Sequence, residues 1–424
     1  MEWVLSTIYE LPNVLYAGGA FLLLALCVGI KPPAALRQAL MIGCGLIGIQ
    51  VMSSFMFAVL EPAALRLGTE AGMKSTVLCT GMSTWFGAMM TLPFVVLIYP
   101  LGVLVNRFLL KLRFTKGIDV DFINYFCFLT PAIPVWLHTR NPFLCLGIFM
   151  FFFVLNLKLA DWMAPAIQDY YQLEGVSVMH HAAGLQAVYC VIMDCVLDKI
   201  PGVNRIQFTL GDVRKKMGFL GDPLALCFLT GVVVGALGRQ GVKDSLMLGF
   251  TMSVVAQLFP KIIGVFMEGL SPITARLREL LTKGLDTKGL YMGVDAAVVT
   301  GDPEVAAITT LWIPIYVALH FLLPWSQVVP GPESFSVSMM VAICLPFAGG
   351  KGEKGNVFRT LVMLAVLTCV LMYTAGYVAP YVTELYQNTE GFALPDQALV
   401  TSSGAYHAYD AAAYYIFKLL GIAH

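Results

Sequence analysis

The sequence predicts an all-α polytopic membrane protein built from two inverted repeats of about five spans each, with re-entrant hairpins. Three observations predict it. Of 424 residues, 58% are hydrophobic and 12% charged, 26 basic against 26 acidic, with a mean hydropathy of +0.78. Such a chain has too little polar surface to coat a water-soluble body of its size. The landmarks of residues 31–189 return in the same order over 243–409. Apolar segments too short or too interrupted to span a bilayer also fall at matching places in the two halves. The recurrence divides the chain into a first membrane repeat, 1–198, a connector, 199–222, and a second membrane repeat, 223–424.

The recurring landmarks are individually weak and are judged together. Leu40-Met41-Ile42-Gly43 is answered by Leu246-Met247-Leu248-Gly249, each followed by a lone glutamine in an apolar stretch, Gln50 and Gln257. Glu61-Pro62-Ala63-Ala64-Leu65-Arg66-Leu67 is echoed by Glu268-Gly269 and Pro272-Ile273-Thr274-Ala275-Arg276-Leu277, and Thr80-Gly81 by Thr300-Gly301. Glu174-Gly175, Ala182-Ala183-Gly184 and Tyr189 return as Glu390-Gly391, Ser402-Ser403-Gly404 and Tyr409. The offset drifts from 206 at Leu40 and Leu246 to 220 at Gly184 and Gly404, as small insertions produce.

In chain order, residues 1–12 carry Glu2 and Glu10 and no basic residue, so they lack the charged start of a cleaved signal, and the first span is expected to be retained. Full spans are expected near 12–30, 36–60, 89–110, 141–159, 224–237, 245–267, 308–323 and 357–373. Segment 122–137 is interrupted at Pro131 and Pro134. Its counterpart, 335–347, meets Pro346 and runs into Ala348-Gly349-Gly350-Lys351-Gly352. Segments 175–196 and 391–420 carry polar residues and glycines in their first halves, as re-entrant hairpins do. Irregular backbone survives at membrane depth only where it is buried in protein or lines a cavity, so these paired segments point to a substrate site. If each half crosses an odd number of times, the second enters upside down, the plan of alternating-access carriers. The basic loop Arg107, Lys111, Arg113 and Lys116 and the connector with Lys199, Arg205, Arg214, Lys215 and Lys216 are placed in the cytoplasm.

Several classes are excluded or disfavoured. No G-x-x-x-x-G-K-[ST] loop and no long soluble stretch is available to hydrolyse ATP. The ten cysteines sit singly in apolar runs without C-x-x-C, which argues against disulfides and zinc, and neither a metal, a cofactor nor a nucleic-acid partner is expected.

Ionisable groups within or beside the broken segments are functional candidates, because a charge at membrane depth is costly. Glu174 precedes Gly175, His180 and His181. A carboxylate accepts from vicinal hydroxyls and a neutral imidazole both donates and accepts, so this group suits a polyhydroxylated ligand; the plainer alternative is a loop whose histidines meet solvent or backbone. In the second half, Asp295 lies deep in a small, apolar run and is a ligand candidate. Asp302 precedes Pro303 and is either a ligand or the cap of the helix that Pro303 opens. Asp194 and Asp198 fit an interfacial salt bridge. Gln50, Gln257 and His320 fit hydrogen bonding between helices. Trp85 supplies either a stacking face for a sugar-like ligand or core packing.

Leu173-Glu174-Gly175-Val176-Ser177-Val178-Met179-His180, Asp198-Lys199-Ile200-Pro201-Gly202-Val203-Asn204-Arg205-Ile206, Gly269-Leu270-Ser271-Pro272-Ile273, Gly293-Val294-Asp295 and Gly355-Asn356-Val357-Phe358-Arg359-Thr360-Leu361 carry a resemblance. The chain resembles, over nearly its whole length, the galactitol family of phosphotransferase-system permeases, the membrane component enzyme IIC. More distantly, residues 175–181 and Asp295 fall where ascorbate-type permeases of the same superfamily place a histidine–polar pair and an aspartate. The resemblance implies a homodimer in the bacterial inner membrane, each protomer with a scaffold and a mobile core moving elevator-fashion. It implies a sugar or polyol substrate phosphorylated by a separate cytosolic enzyme IIB bearing a phosphocysteine, itself charged by enzyme IIA. Carried over residue by residue, it places Glu174, His180 and Asp295, and less directly His181, in the site, with Glu174 or a histidine taking a substrate proton. The competing expectation is an ion-coupled secondary transporter in which Asp295 and Glu174 bind a proton or sodium ion; a channel-like protein is the third.

Overall fold

The computed structural model describes residues 13–45, 47–48, 51, 77–80, 85, 88–89, 92–207, 209–210, 223–323, 328–329, 334–388, 399–402 and 407–424. Gln50, residues 61–67, Gly81, Glu390, Gly391, Ser403, Gly404 and the connector over 211–222 lie outside them.

The first half comprises α1 (Asn13–Cys27), α2 (32–45), β1 (Val77–Thr80), α3 (Val95–Lys111) and β2 (Gly117–Asp119). It continues with α4 (Phe122–Leu129), a 3-10 turn (Thr130–Ala132), α5 (Ile133–Thr139), α6 (Pro142–Tyr171), β3 (Val176–Val178) and α7 (His181–Lys199). The second half comprises α8 (Pro223–Leu237), α9 (Val242–Thr282), β4 (Tyr291–Val294), the short α10 (Ala297–Thr300) and α11 (Pro303–Leu322). It ends with β5 (Val328–Val329), α12 (Ser334–Cys344), a 3-10 turn (Leu345–Phe347), α13 (Val357–Gln387), β6 (Leu399–Ser402) and α14 (Ala408–Leu419). Apart from α5 and α10, the order of elements in one half recurs in the other. Among the described residues, α6, α7 and α13 are long and apolar enough to cross a membrane.

The chain is mostly helical, as expected, and among the described residues the helices are joined by six short strands in two three-stranded parallel sheets, ordered β2-β4-β3 and β5-β1-β6. Advancing every strand by three places turns one order into the other, so each sheet takes its middle strand from the opposite half. Strands of two to four residues are too short to show a period-2 pattern, which is why the sequence did not reveal them. The expected hairpin over 175–196 is corrected: Val176–Val178 is a strand and α7 a continuous helix.

Local sequence explains the main boundaries. Asn141 opens α6 by accepting from the amides of Phe143 and Leu144, with Pro142 in the first turn, where no amide donor is needed. The interruption expected at Pro131 is the 3-10 turn between α4 and α5; Pro134 lies in the first turn of α5 and breaks nothing. Helix α9 runs well beyond its apolar window, so hydropathy alone underestimates it. Its end is closed by Arg107, which lies in α3 and not in a loop, and whose guanidinium donates to the carbonyls of Leu280 (3.0 Å), Leu281 (2.5 Å) and Lys283 (3.0 Å).

The start of α13 holds the most buried cation. Arg359, fully buried, donates to Asp194 (2.7 Å) and Asp198 (2.5 Å), one turn apart on α7. Asp194 also accepts from the amides of Gly349 (3.2 Å) and Gly350 (2.8 Å). At Gly350, φ is +56° and a Cβ would collide with Asp198 and Arg359, so only glycine fits. Arg359→Met should therefore lower stability by about 3–5 kcal/mol in denaturant unfolding of the solubilised protein, by stranding buried carboxylates. Removing the exposed Arg37–Glu268 pair with Arg37→Met should change it by less than about 1 kcal/mol.

Candidate functional site

The site is built at the carboxyl end of the sheet β2-β4-β3. The register sets Asp119 and Ser177 on either side of Gly293, and Val178 beside Val294. Because all three strands are parallel, their chains leave the sheet at one edge, and each turns directly into a helix. Asp121 caps α4, His180 caps α7, and Asp295 immediately precedes Ala296, which caps α10. Carboxyl edges of parallel sheets, with helix N-termini aimed at them, are recurrent sites for polar ligands. Gly293 is required for close approach, since a Cβ there would strike Met179.

Hydrogen bonds fix this edge. Asp121 accepts from the amide of Asp295 at 3.0 Å and from that of Ile123 at 2.9 Å, tying the strand from one half to the strand from the other. Asp119 accepts from the amide of Asp121 and from the Asn124 carboxamide, both at 3.2 Å. Asn106 closes the open side of β2 as a further strand would, donating to Gly117 O and accepting from Asp119 N, each at 3.0 Å. Below lies an aromatic stack of Tyr125 with Phe149 and Phe153, and the Tyr125 hydroxyl donates to Asp119 O at 3.0 Å.

His180 and Asp295, both about 4% exposed, meet with Nε2 3.7 Å from Oδ2. The Nδ1 of His180 accepts from the amide of Ala182 at 3.2 Å. In the neutral ring the proton therefore rests on Nε2, facing Asp295 and, at 3.4 Å, the Cys127 sulfur. His181, the next residue, pairs with a different carboxylate: its Nε2 lies 2.9 Å from Oδ1 of Asp410 in the first turn of α14. Its ring packs against Tyr409 (4.3 Å between centroids) and lies 6.2–6.3 Å from Phe128 and Phe152. The edge thus combines several carboxylate acceptors with an imidazole N–H donor, a set matched to vicinal hydroxyls. Among the described residues no group of three or more His, Cys, Asp or Glu is arranged to hold a metal ion.

The residues singled out in the sequence fall in different places. His180, His181 and Asp295 are buried at or beside the edge. Glu174 is exposed and precedes β3, at the opposite end of that strand from His180. Asp302 caps α11, accepting from Glu304 N at 2.8 Å and Val305 N at 3.3 Å. Trp85 is buried in the core, its indole N–H donating to Thr130 Oγ1 at 3.3 Å and its ring edge-on to Tyr386. Sequence reasoning missed Asp119, Asp121, Asn124, Cys127 and Asp410. A signal was present for the first two: two carboxylates, two apart, at the entrance to an apolar run. Asp410 gave none, because its partner lies 229 positions away.

Residues 8–398 match the family described as the PTS system sugar-specific permease component, EIIC-GAT. The chain is 26% identical over 366 residues to the galactitol-specific EIIC component of the PTS system in Escherichia coli strain K12, covering 85% of this chain and 79% of that protein. The protein of the same description from Escherichia coli O157:H7 matches over the same extent, also at 26% identity.

The caps give a test independent of any ligand. Asp121→Ala and Asp302→Ala should each lower unfolding stability by about 1–2 kcal/mol, as loss of a helix cap does. Glu174→Gln should change it by less than about 0.5 kcal/mol, as exposed substitutions do.

Proposed function

The chain belongs to the EIIC-GAT family of PTS sugar-specific permease components, and on that premise we propose that it carries galactitol or a related polyol inward across the bacterial inner membrane. In this reading the substrate binds at the carboxyl edge of β2-β4-β3, between His180 and Asp295, and is phosphorylated there by a cytosolic enzyme IIB bearing a phosphocysteine, charged in turn by enzyme IIA. The observation that carries it is the meeting of His180 and Asp295, one from each half, beside Asp121 and buried from solvent. Carboxylates and an imidazole N–H at one edge bind hydroxyls without any covalent nucleophile, which suits a chain that positions a substrate for a separate phosphoryl donor.

The recurring element order and the exchanged middle strands support two inverted repeats, and hence a multi-pass carrier in which a mobile core moves past a scaffold in a homodimer. Exposed Lys199 and Arg205 at the start of the connector and exposed Lys351 and Lys354 in the loop before α13 support a cytoplasmic docking face for the phosphoprotein. The two segments pack together: Asn356 Nδ2 donates to Ile206 O at 2.9 Å and Gln207 Nε2 to Gly349 O at 3.4 Å.

The test is uptake of labelled galactitol and related polyols into vesicles, with and without phosphorylated IIB. Accumulation should occur only as the phosphorylated polyol. Asp295→Asn should weaken substrate binding about tenfold or more, the effect of losing a charged hydrogen bond. Accumulation of free polyol that collapses with an ion gradient would make the protein a secondary carrier and overturn the reading.

A further inference from the structure

The adjacent histidines at the start of α7 share the Nε2–H tautomer but differ at Nδ1, which is occupied in His180 and bare in His181, and the second matches an arrangement used for proton abstraction. His180 spends its Nδ1 lone pair on the amide of Ala182, so its free face offers a proton. His181 presents Nε2 to Asp410 at 2.9 Å, with the histidine 1% and the carboxylate side chain 0% exposed. Asp410 sits in the first turn of α14, where the helix dipole favours the ionised carboxylate, and a carboxylate can only accept. With Asp410 ionised, the proton of His181 rests on Nε2 and Nδ1 keeps its lone pair. That Nδ1 is buried with no hydrogen-bond partner, as are the second Asp410 oxygen and the Tyr409 hydroxyl beside it. A buried acceptor left without a donor is costly, and a substrate hydroxyl would satisfy it.

We infer that His181 is the base that accepts the substrate proton and that Asp410 is its positioning residue, holding the tautomer through Nε2. This rests on the permease reading above and deepens it. The Nδ1 of His181 takes the hydroxyl proton as the substrate oxygen attacks phosphorus on the phosphorylated thiol of the partner protein. The O–P bond forms, the P–S bond breaks, and its electron pair leaves on sulfur as thiolate. The proton stays on Nδ1, and the resulting imidazolium is neutralised by Asp410. His180, with Nε2–H outward, hydrogen-bonds substrate as a donor. The pair spans α7 and α14, so the base is assembled from both halves, as is the edge that holds the substrate.

Two measurements decide it. In ¹⁵N-histidine spectra of the protein in nanodiscs, the resonances lost in His181→Gln should show a bare Nδ1 and a protonated Nε2. Asp410→Asn, whose amide can donate to Nε2, should move the proton to Nδ1. In parallel, both variants should slow formation of phosphorylated polyol by about 10²- to 10⁴-fold while galactitol affinity changes by less than about threefold, and Asp410→Glu should restore part of the rate. A wild-type proton on Nδ1, either variant at wild-type rate, or rate and affinity falling by the same factor would overturn the dyad. If the wild type phosphorylates no polyol, the permease reading fails on its own, and the tautomer in the spectra still decides whether the dyad exists.

Discussion

Backbone amides and carbonyls at membrane depth must find partners within the protein, and the rest of this structure follows from how they do so. Where the chain leaves helix it pairs in parallel, two to four residues at a time, in two three-stranded sheets. Each sheet takes its central strand from the other half, so neither half satisfies its own irregular backbone. The edge of β2 is closed by the Asn106 carboxamide acting as a surrogate strand, and the carboxyl edge by Asp121 accepting from Asp295 N. Parallel pairing sends three chain ends out at one side, which is why His180, Asp295 and Asp121 converge although 174 positions separate Asp121 from Asp295.

Buried charge is handled in two ways. Arg359 is matched to two carboxylates, one of which also accepts from two glycine amides, a node that joins α7, α13 and the loop before α13. At the sheet edge, several carboxylate and imidazole atoms keep unused hydrogen-bonding capacity, among them Asp119 Oδ2, His181 Nδ1 and Asp410 Oδ2. The first pattern is that of a structural clamp. The second is that of a site awaiting polar ligand atoms. α7 carries both, with Asp194 and Asp198 near its end and His180 and His181 at its start.

How much was legible in the sequence depended on the range of each interaction. The Pro131 break, the Asp302 cap and the ion-pairing role of Asp194 and Asp198 all depend on local geometry or short spacing, which the sequence displays directly. Asp295 stood out because a carboxylate in a small apolar run is costly. Glu174 stood out for the same reason, yet it lies exposed at the far end of β3, since a three-residue strand separates it from the turn that carries the histidines. Trp85 was ambiguous because aromatic content does not distinguish a stacking face from a core wall, and its indole is spent on Thr130.

The sequence by itself determined the class and the family resemblance: sparse charge, recurring landmarks and paired broken segments require a membrane protein whose irregular backbone is buried. It also named His180, His181 and Asp295, because short-range composition exposes costly groups. Only the tertiary structure decided that broken segments become strands, that the strands exchange between halves, and that Asp121 and Asp410 stand beside the histidines and Asp295. Those outcomes depend on pairings across 116–322 positions, from Val176 with Met292 to Val77 with Leu399, with His181 and Asp410 between these limits. Nothing in local periodicity or residue preference encodes a partner that far away, and only the closed set of backbone hydrogen bonds selects it.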